Sequence, residues 1–265
     1  MSVNNLNLAV IVPIYQSLLT PDEQTSLRHL GNYLGGLPII ALQPAGLGLR
    51  LPGFVVREFP ARHFANVSTY SKLLLSPAFY EAFADFEYIL VYQTDCLVFS
   101  PDLARFCEMG YDYLGAPLFE KDSQPPRLSR VGNGGLSLRR VQAFLDVLNS
   151  PRIPSWGQSF TARLPDLYEF PRPARWLKKL HVIRAARRGV GWYAANYSLN
   201  EDLFWSDRAR LFKPNFKVAP LESALQFAFD AHPRACFAQN GRKLPFGVHA
   251  WARWERDFWQ PHLLT

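Results

Sequence analysis

Glu87-Tyr88-Ile89-Leu90-Val91-Tyr92-Gln93-Thr94-Asp95-Cys96 is an apolar, β-prone run that stops on a lone carboxylate. In an open α/β sheet, ligands bind in the crevice outside the carboxyl ends of the strands. An Asp at that position can hold a divalent cation against a phosphate, because hard cations take oxygen ligands. The same Asp serves equally well as the residue that caps the turn after a strand. Asp95 therefore acquires a meaning only from the residues that accompany it.

The chain around this run alternates between strand and helix. Leu8–Pro13 reads as a buried first strand. Thr20, Pro21 and Glu23 form a capping box with proline at the first helical position, and the helix runs to about Leu34, ended by Gly35-Gly36. Leu37–Leu42 and Phe54–Phe59 read as strands. Tyr70–Phe83 reads as helical, with Pro77 breaking or restarting it. Tyr88–Tyr92 is then the central strand. Asp112–Ala116 and Leu136–Arg139 look like further strands, and Val141–Leu148 like a helix. This pattern predicts an α/β fold, a mostly parallel sheet covered by helices, related to the nucleotide-binding half of Rossmann-like proteins. No GxGxxG and no GxxxxGK[ST] occurs, which excludes the dinucleotide and P-loop classes. Pro151–Pro173 is Pro-rich and aperiodic and reads as a long loop. Ala174–Arg188 reads as a basic helix with Trp176, Leu177, Leu180 and Ile183 on one face.

At 265 residues, 48% hydrophobic and 19% charged, the chain is globular. No run approaches the ~18 consecutive apolar residues of a membrane span. Met1–Asn7 lacks the charged and apolar regions of a signal peptide. Three cysteines without CxxC spacing exclude a disulfide framework or a structural zinc site and suit a reducing, cytoplasmic setting. The formal net charge is +7, and seven basic residues with no acidic one fall between Arg172 and Arg188. The excess is thus a local patch, unlike the diffuse basicity of a protein that coats nucleic acid. A solvated amphipathic surface helix accounts for it. So does docking on an anionic membrane surface.

Three further clusters could carry chemistry. Gly132-Asn133-Gly134-Gly135 precedes a strand, and its glycines permit close approach of backbone to a ligand, or merely a tight turn. Asn200-Glu201-Asp202 places two carboxylates at a helix start, where the dipole favours them and where one could also act as a general base. His249 stands among apolar neighbours, where a satisfied core histidine is the ordinary outcome. Trp251, Trp254, Phe258 and Trp259 are either a platform for a sugar or core.

The order strand-Asp, Gly-Gly strand, Glu-Asp helix and late His, with Val12-Pro13-Ile14-Tyr15 ending the first strand, resembles glycosyltransferases of the GT-A fold. It is most similar to a glycosyltransferase-like family of unknown function. The resembling segments are Val10–Tyr15, Tyr70–Ser76, Tyr88–Cys96, Tyr111–Pro117, Gly132–Arg139, Asn200–Trp205 and Pro245–Trp251. They span nearly the whole chain, so one domain is expected: residues 1–100 as a nucleotide-binding half and 101–265 as an acceptor-binding half with an insert at about 151–190. The resemblance implies a nucleoside-diphosphate sugar as donor and a glycan or lipid-linked hydroxyl as acceptor. It implies that Pro13, Ile14 and Tyr15 meet the nucleotide and that Lys72 reaches a phosphate. Gln93, Thr94, Asn133, Gly134 and Gly135 would lie along the donor. Asp95 and His249 would hold Mn²⁺ or Mg²⁺, with Gln93 standing where these enzymes usually carry a first Asp. Asp202, paired with Glu201, would be the base of an inverting transfer. An inactive sugar-nucleotide or glycan-binding module is the alternative. A nucleotidyltransferase ranks last, because Ile14-Tyr15-Gln16-Ser17-Leu18-Leu19 is neither glycine-rich nor basic.

Overall fold

A computed structural model describes residues 7–157 and 171–264. Its strands are β1 (Leu8–Pro13), β2 (Ile39–Pro44), β3 (Phe54–Phe59), β4 (Tyr88–Tyr92), β5 (Leu97–Val98), β6 (Tyr113–Gly115), β7 (Pro117–Phe119), β8 (Leu128–Val131), β9 (Leu136–Arg140), β10 (Ala228–Phe229) and β11 (Gly247–Val248). A six-stranded sheet has the order β3-β2-β1-β4-β9-β6. β1 pairs in parallel with β2 and β4, β2 pairs in parallel with β3, and β9 runs antiparallel to both β4 and β6. The expected α/β fold with a mostly parallel sheet is therefore what the chain forms.

The central strands are apolar throughout because both of their faces are covered. Ala9 and Ile11 of β1 pack into one apolar layer with Phe79, Phe144 and Trp205, while Leu8, Val10 and Val12 pack into the opposite layer with Leu30, Leu34 and Leu90. The helix Pro21–Leu34 covers the second layer and opens with the expected capping box: Thr20 N donates to Glu23 Oε2 at 2.8 Å, and Glu23 N to Thr20 Oγ1 at 3.3 Å. On the other face, the expected helix Tyr70–Phe83 is two helices, Val67–Leu74 and Pro77–Glu81, with Pro77 at the restart. The first begins earlier than expected because Asn66 and Thr69 form a second capping box (Thr69 N to Asn66 Oδ1, 3.0 Å).

Strand order reverses between β1 and β4, so the crevice outside their carboxyl ends is the switch point where ligands bind in such sheets. Antiparallel β9 begins at that same edge, Leu136 lying opposite Tyr92. This places Asn133-Gly134-Gly135 beside Gln93-Thr94-Asp95. A small sheet, β10-β11-β5, completes the edge.

Two expectations about the second half change. The loop expected over Pro151–Pro173 lies partly outside the described residues, but Trp156 and Gly157 are already helical and Pro173 belongs to the helix Arg172–Ala186. The apolar stripe expected on that helix is buried only at its end. Ile183 is buried and Leu180 partly so, whereas Trp176 and Leu177 are 55% and 65% exposed. The helix instead docks through Ile183, Ala185 and Ala186, where small side chains allow close approach. No helix among the described residues is long and apolar enough to cross a membrane.

Candidate active site at the sheet's switch point

Three two-residue strands gather the first group. β10 and β11 run parallel with Phe229 opposite Val248, so Asp230 and His249 emerge side by side. β11 runs antiparallel to β5 with Val248 opposite Leu97, which brings the Asp95-Cys96 end of β5 to the same point. His249 Nδ1 lies 3.1 Å from Asp230 Oδ1, and His249 Nε2 lies 3.2 Å from Gln93 Oε1 and 3.4 Å from Asp95 Oδ1. A carboxylate only accepts, so Nδ1 carries a proton and donates it to Asp230. Asn133 is oriented by accepting Gly135 N at its Oδ1 (3.0 Å), and it donates Nδ2 to Asp230 Oδ2 (3.1 Å). Burial disfavours a charged His249 ring, but the Asp230 hydrogen bond and the charges of Asp95, Asp230 and Asp202 outweigh it and raise its pKa. Gly135 is required for this placement, since a Cβ there would sit 2.2 Å from His249 Cδ2 and Nε2.

The second group adjoins the first through Gly134. Its N–H donates to Asp202 Oδ2 at 3.3 Å, and a Cβ on Gly134 would lie 2.6 Å from Glu201 Oε1. The two carboxylates that open the helix Glu201–Asp207 have different fates. Glu201 is buried and receives both arms of the Arg139 guanidinium, Nη2 to Oε1 at 2.8 Å and Nη1 to Oε2 at 3.2 Å. Arg139 is itself fully buried, donating also to Tyr80 Oη at 3.0 Å and Ser137 Oγ at 2.9 Å. Asp202 has no such partner. It accepts Leu203 N at 2.7 Å, remains partly exposed, and its pKa is raised to about 7, first by desolvation and then by the neighbouring Glu201 charge.

Could this site hold a divalent cation? Asp95 Oδ1, His249 Nε2 and Gln93 Oε1 converge with both sides of the imidazole accounted for, the carboxylate–histidine arrangement that aims a ring at a metal. Among the described residues no group of three or more His, Cys, Asp or Glu is arranged to hold one. The donor set thus fits a cation that is shared with a phosphate ligand, since Mg²⁺-type sites often use one or two carboxylates plus substrate phosphates.

A family model described as "Protein of unknown function (DUF5672)" matches residues 53–249, a span that reaches from β3 to His249. The chain belongs to this family. No curated protein matches it in sequence. Similar solved structures include the apo form of the glycosyltransferase GlyE of Streptococcus pneumoniae TIGR4, at 13% identity over 97% of this chain and 60% of that one, with a TM-score of 0.46. The galactosyltransferase LgtC, in complex with donor and acceptor sugar analogs, aligns at 11% identity over 97% and 96% of the two chains, with a TM-score of 0.49. The bifunctional WbbM aligns at 13% over 94% of this chain and 46% of that one, with a TM-score of 0.42. The chain thus spans less than two thirds of the GlyE chain.

In this DUF5672 member, Asp95, Gln93, Asn133, Gly134, Gly135, Asp202 and His249 come together as described. Other residues singled out in the sequence have different surroundings. Of Pro13, Ile14 and Tyr15, only Tyr15 projects outward (58% exposed); Ile14 is buried and its amide donates to Leu42 O at 2.9 Å. Burial, then the charges of Glu23 and Asp95, raise the pKa of the Tyr15 phenol. Thr94 is buried and donates to Glu23 Oε1 at 2.8 Å, so the capping residue of the first long helix also ties down the turn that carries Asp95. Lys72 does not offer its ammonium to a phosphate. It caps the helix Val190–Ala195, donating to the carbonyls of Ala194 (3.2 Å), Ala195 (2.8 Å) and Tyr197. Glu201 is held by Arg139 and is not placed to take a proton. Trp251 and Trp259 are core residues packed with Phe229 and Val248, and Phe258 packs against them; of the four aromatics Trp254 alone stands outside that core, half-buried with its ring centroid 6.3 Å from that of His232. Asp230 and the role of Arg139 escape a reading of the sequence. The signal for Asp230 was the same as for Asp95, an apolar strand ending in Asp (Ala228-Phe229-Asp230), but over only two strand residues.

Proposed function

We propose that this chain is a glycosyltransferase that moves a sugar from a nucleoside-diphosphate sugar to an acceptor hydroxyl with inversion, Asp202 acting as base. The observation that carries the reading is the division of labour between two adjacent carboxylates at the switch-point crevice. Glu201 is neutralised by Arg139, and Asp202 is partly exposed and ionises near neutrality. A base works best when its pKa lies near the working pH. Asp202 takes the acceptor's proton as the oxygen attacks the anomeric carbon, opposite the departing diphosphate, and one displacement inverts the configuration. Tyr15 offers an exposed ring for the nucleotide base. Asp95 and His249, with the Gln93 amide oxygen, would hold a divalent cation, which when bound offsets charge on the leaving diphosphate. Asp230 and Asn133 orient the His249 ring throughout.

A thermal-shift screen of nucleotide sugars with and without Mn²⁺ tests this. A ligand at about 100 times its Kd stabilises by roughly 2.7 kcal/mol, which for a chain of this size is a rise in Tm on the order of 5 °C. The expected result is a larger rise with Mn²⁺ in the wild-type chain. Gly135→Ala and His249→Ala should lose that Mn²⁺-dependent increment, the first because its methyl group displaces the imidazole. If no nucleotide sugar stabilises the chain under either condition, the reading fails. Hydrolysis of the bound donor without acceptor separates a working transferase from an inactive module.

The acceptor side has one marked feature. Exposed Trp176 and Leu177 lie within the basic stretch 172–188, which suits an acceptor carried on an anionic membrane surface. The chain should float with phosphatidylserine vesicles at low salt and lose that binding in a Trp176→Ser, Leu177→Ser variant. Flotation unaffected by the double change would place the contact elsewhere.

A further inference from the structure

Glu23 does more than its place in a capping box requires. One of its oxygens, Oε2, accepts from Thr20 N at 2.8 Å and from Thr20 Oγ1 at 2.9 Å, which completes the cap. The other, Oε1, accepts from Thr94 Oγ1 at 2.8 Å, 71 residues along the chain. Gln16 Nε2 donates to the same carboxylate, at 3.1 Å to Oε2 and 3.4 Å to Oε1. Burial alone would raise the pKa of this group, but the hydrogen bonds from Thr20, Thr94 and Gln16 outweigh it and keep the carboxylate charged. Glu23 therefore spans the switch point, from the helix that follows β1 to the turn that follows β4. Thr94 is buried inside that turn, which Cys96 N closes on Gln93 O at 3.0 Å.

The two side chains assigned to the cation are held unequally. His249 is oriented through Nδ1 by Asp230, which Asn133 holds in turn. Asp95 has no such support. Its side chain is 51% exposed, and its carboxylate has one partner among the described residues, His249 Nε2 at 3.4 Å. Its direction is thus set by the backbone that carries it. Gln93 N donates to Gly135 O at 2.9 Å, Trp251 N donates to Asp95 O at 3.3 Å, and Thr94 between them is held by Glu23. We propose that Glu23 is a positioning residue for the cation site, setting through Thr94 the turn from which Asp95 reaches the metal. This rests on the cation site of the transferase reading above. It gives the Asp95 half of the site what Asp230 gives the His249 half. Groups behind the ligands orient them, and their loss costs about 10–100-fold in metal affinity.

Thr94→Val in the full chain tests the assignment. It keeps the shape of the buried side chain and leaves the capping box whole, so it cuts this one tie. Electron paramagnetic resonance of free Mn²⁺, with UDP or GDP present, reads the metal affinity. Thr94→Val should weaken Mn²⁺ binding about tenfold, while UDP or GDP without metal, followed by calorimetry, binds as it does to wild type. Glu23→Ala should weaken Mn²⁺ as much, and adding Thr94→Val to it should cost nothing further, because both changes remove one tie. Glu23→Gln should bind Mn²⁺ nearly as wild type does, since its amide can accept from Thr20 N and donate to Thr94 Oγ1. Unchanged Mn²⁺ affinity in Thr94→Val overturns the proposal, and a lowered Tm beside it would show a bond that only fastens helix to sheet. An equal loss for the metal-free nucleotide overturns it too, as do additive losses in the double variant. So does a Glu23→Gln variant as weak as Glu23→Ala, because the carboxylate would then act by charge and not by position. Wild type that binds Mn²⁺ with neither nucleotide overturns the cation site and this role with it, while the nucleotide-sugar screen still decides the transferase reading.

Discussion

Asp202→Asn should lower sugar transfer by about 10²–10⁴-fold, the usual contribution of a general base, while leaving nucleotide-sugar binding intact. The substitution keeps the shape of the side chain. Its remaining oxygen can still accept from Leu203 N, now at 2.7 Å. What it removes is the ability to take a proton. In wild type, kcat/KM should rise with pH up to about 7, where Asp202 loses its proton, and then level off; in the variant that rise should vanish with the activity. Stability carries an independent mark of the same group. Because the folded-state pKa of Asp202 lies above that of an unfolded carboxyl, the folded chain holds the proton more tightly. The resulting stabilisation is complete below about pH 4 and fades as pH climbs through about 7. Urea unfolding at pH 5 and pH 8 should show this contribution in wild type and not in Asp202→Asn. Turnover that survives the substitution would remove Asp202 as base, and Arg139 leaves Glu201 unsuited to replace it.

The parts legible in the sequence are those that local chemistry or continuous burial dictates. β1, β3 and β4 and the helix Val141–Leu148 lie where runs of apolar residues place them, and Thr20 and Glu23 open their helix as the capping pattern requires. Asp95 and His249 were legible as candidates because each follows an apolar run. What distant pairing creates was not legible. Asp230 acquires its role only when β10 pairs with β11, and two-residue strands have no periodicity to read. The resemblance sends Lys72 to a phosphate, but the helix Val190–Ala195 presents its last carbonyls to it. The resemblance puts Ile14 against the nucleotide, yet it is buried in the layer that holds Leu30 and Leu90. Trp176 and Leu177 fall on the same face as Ile183 by helical spacing, but only the last turns of that helix are buried against the rest of the fold. Spacing shows which residues share a face and leaves open how far the partner surface extends.

Arg139→Met should cost roughly 3–5 kcal/mol, because it leaves a buried carboxylate without its counter-charge. That is a large share of the ~5–15 kcal/mol by which a folded chain is stable. Met fills much of the space between the Tyr113 and Phe144 rings, whose centroids lie 5.8 and 5.7 Å from the guanidinium carbon, so the loss measures charge more than volume. The Tyr80 hydroxyl loses its donor as well, although it can still donate to Leu74 O, 3.0 Å away. Adding Glu201→Leu to Arg139→Met should recover a large part of the stability, since replacing a whole buried pair by apolar residues is often neutral or better. Urea unfolding of the two single variants and the double variant measures the coupling, and a cost below about 1 kcal/mol for Arg139→Met would mean that water or relaxation reaches Glu201. The pair also bears on the reaction. Two carboxylates adjacent in sequence stand at one crevice, and Arg139 pairs with Glu201 while Asp202 is left facing it. With Glu201 paired, desolvation and the residual Glu201 charge hold Asp202 near 7. In Arg139→Met, loss of the Arg139 charge, which lowers the Asp202 pKa directly, should move upward the pH at which any surviving activity appears. Glu201→Gln should move it downward, because the charge that raises Asp202 is then gone while the Arg139 charge that lowers it remains.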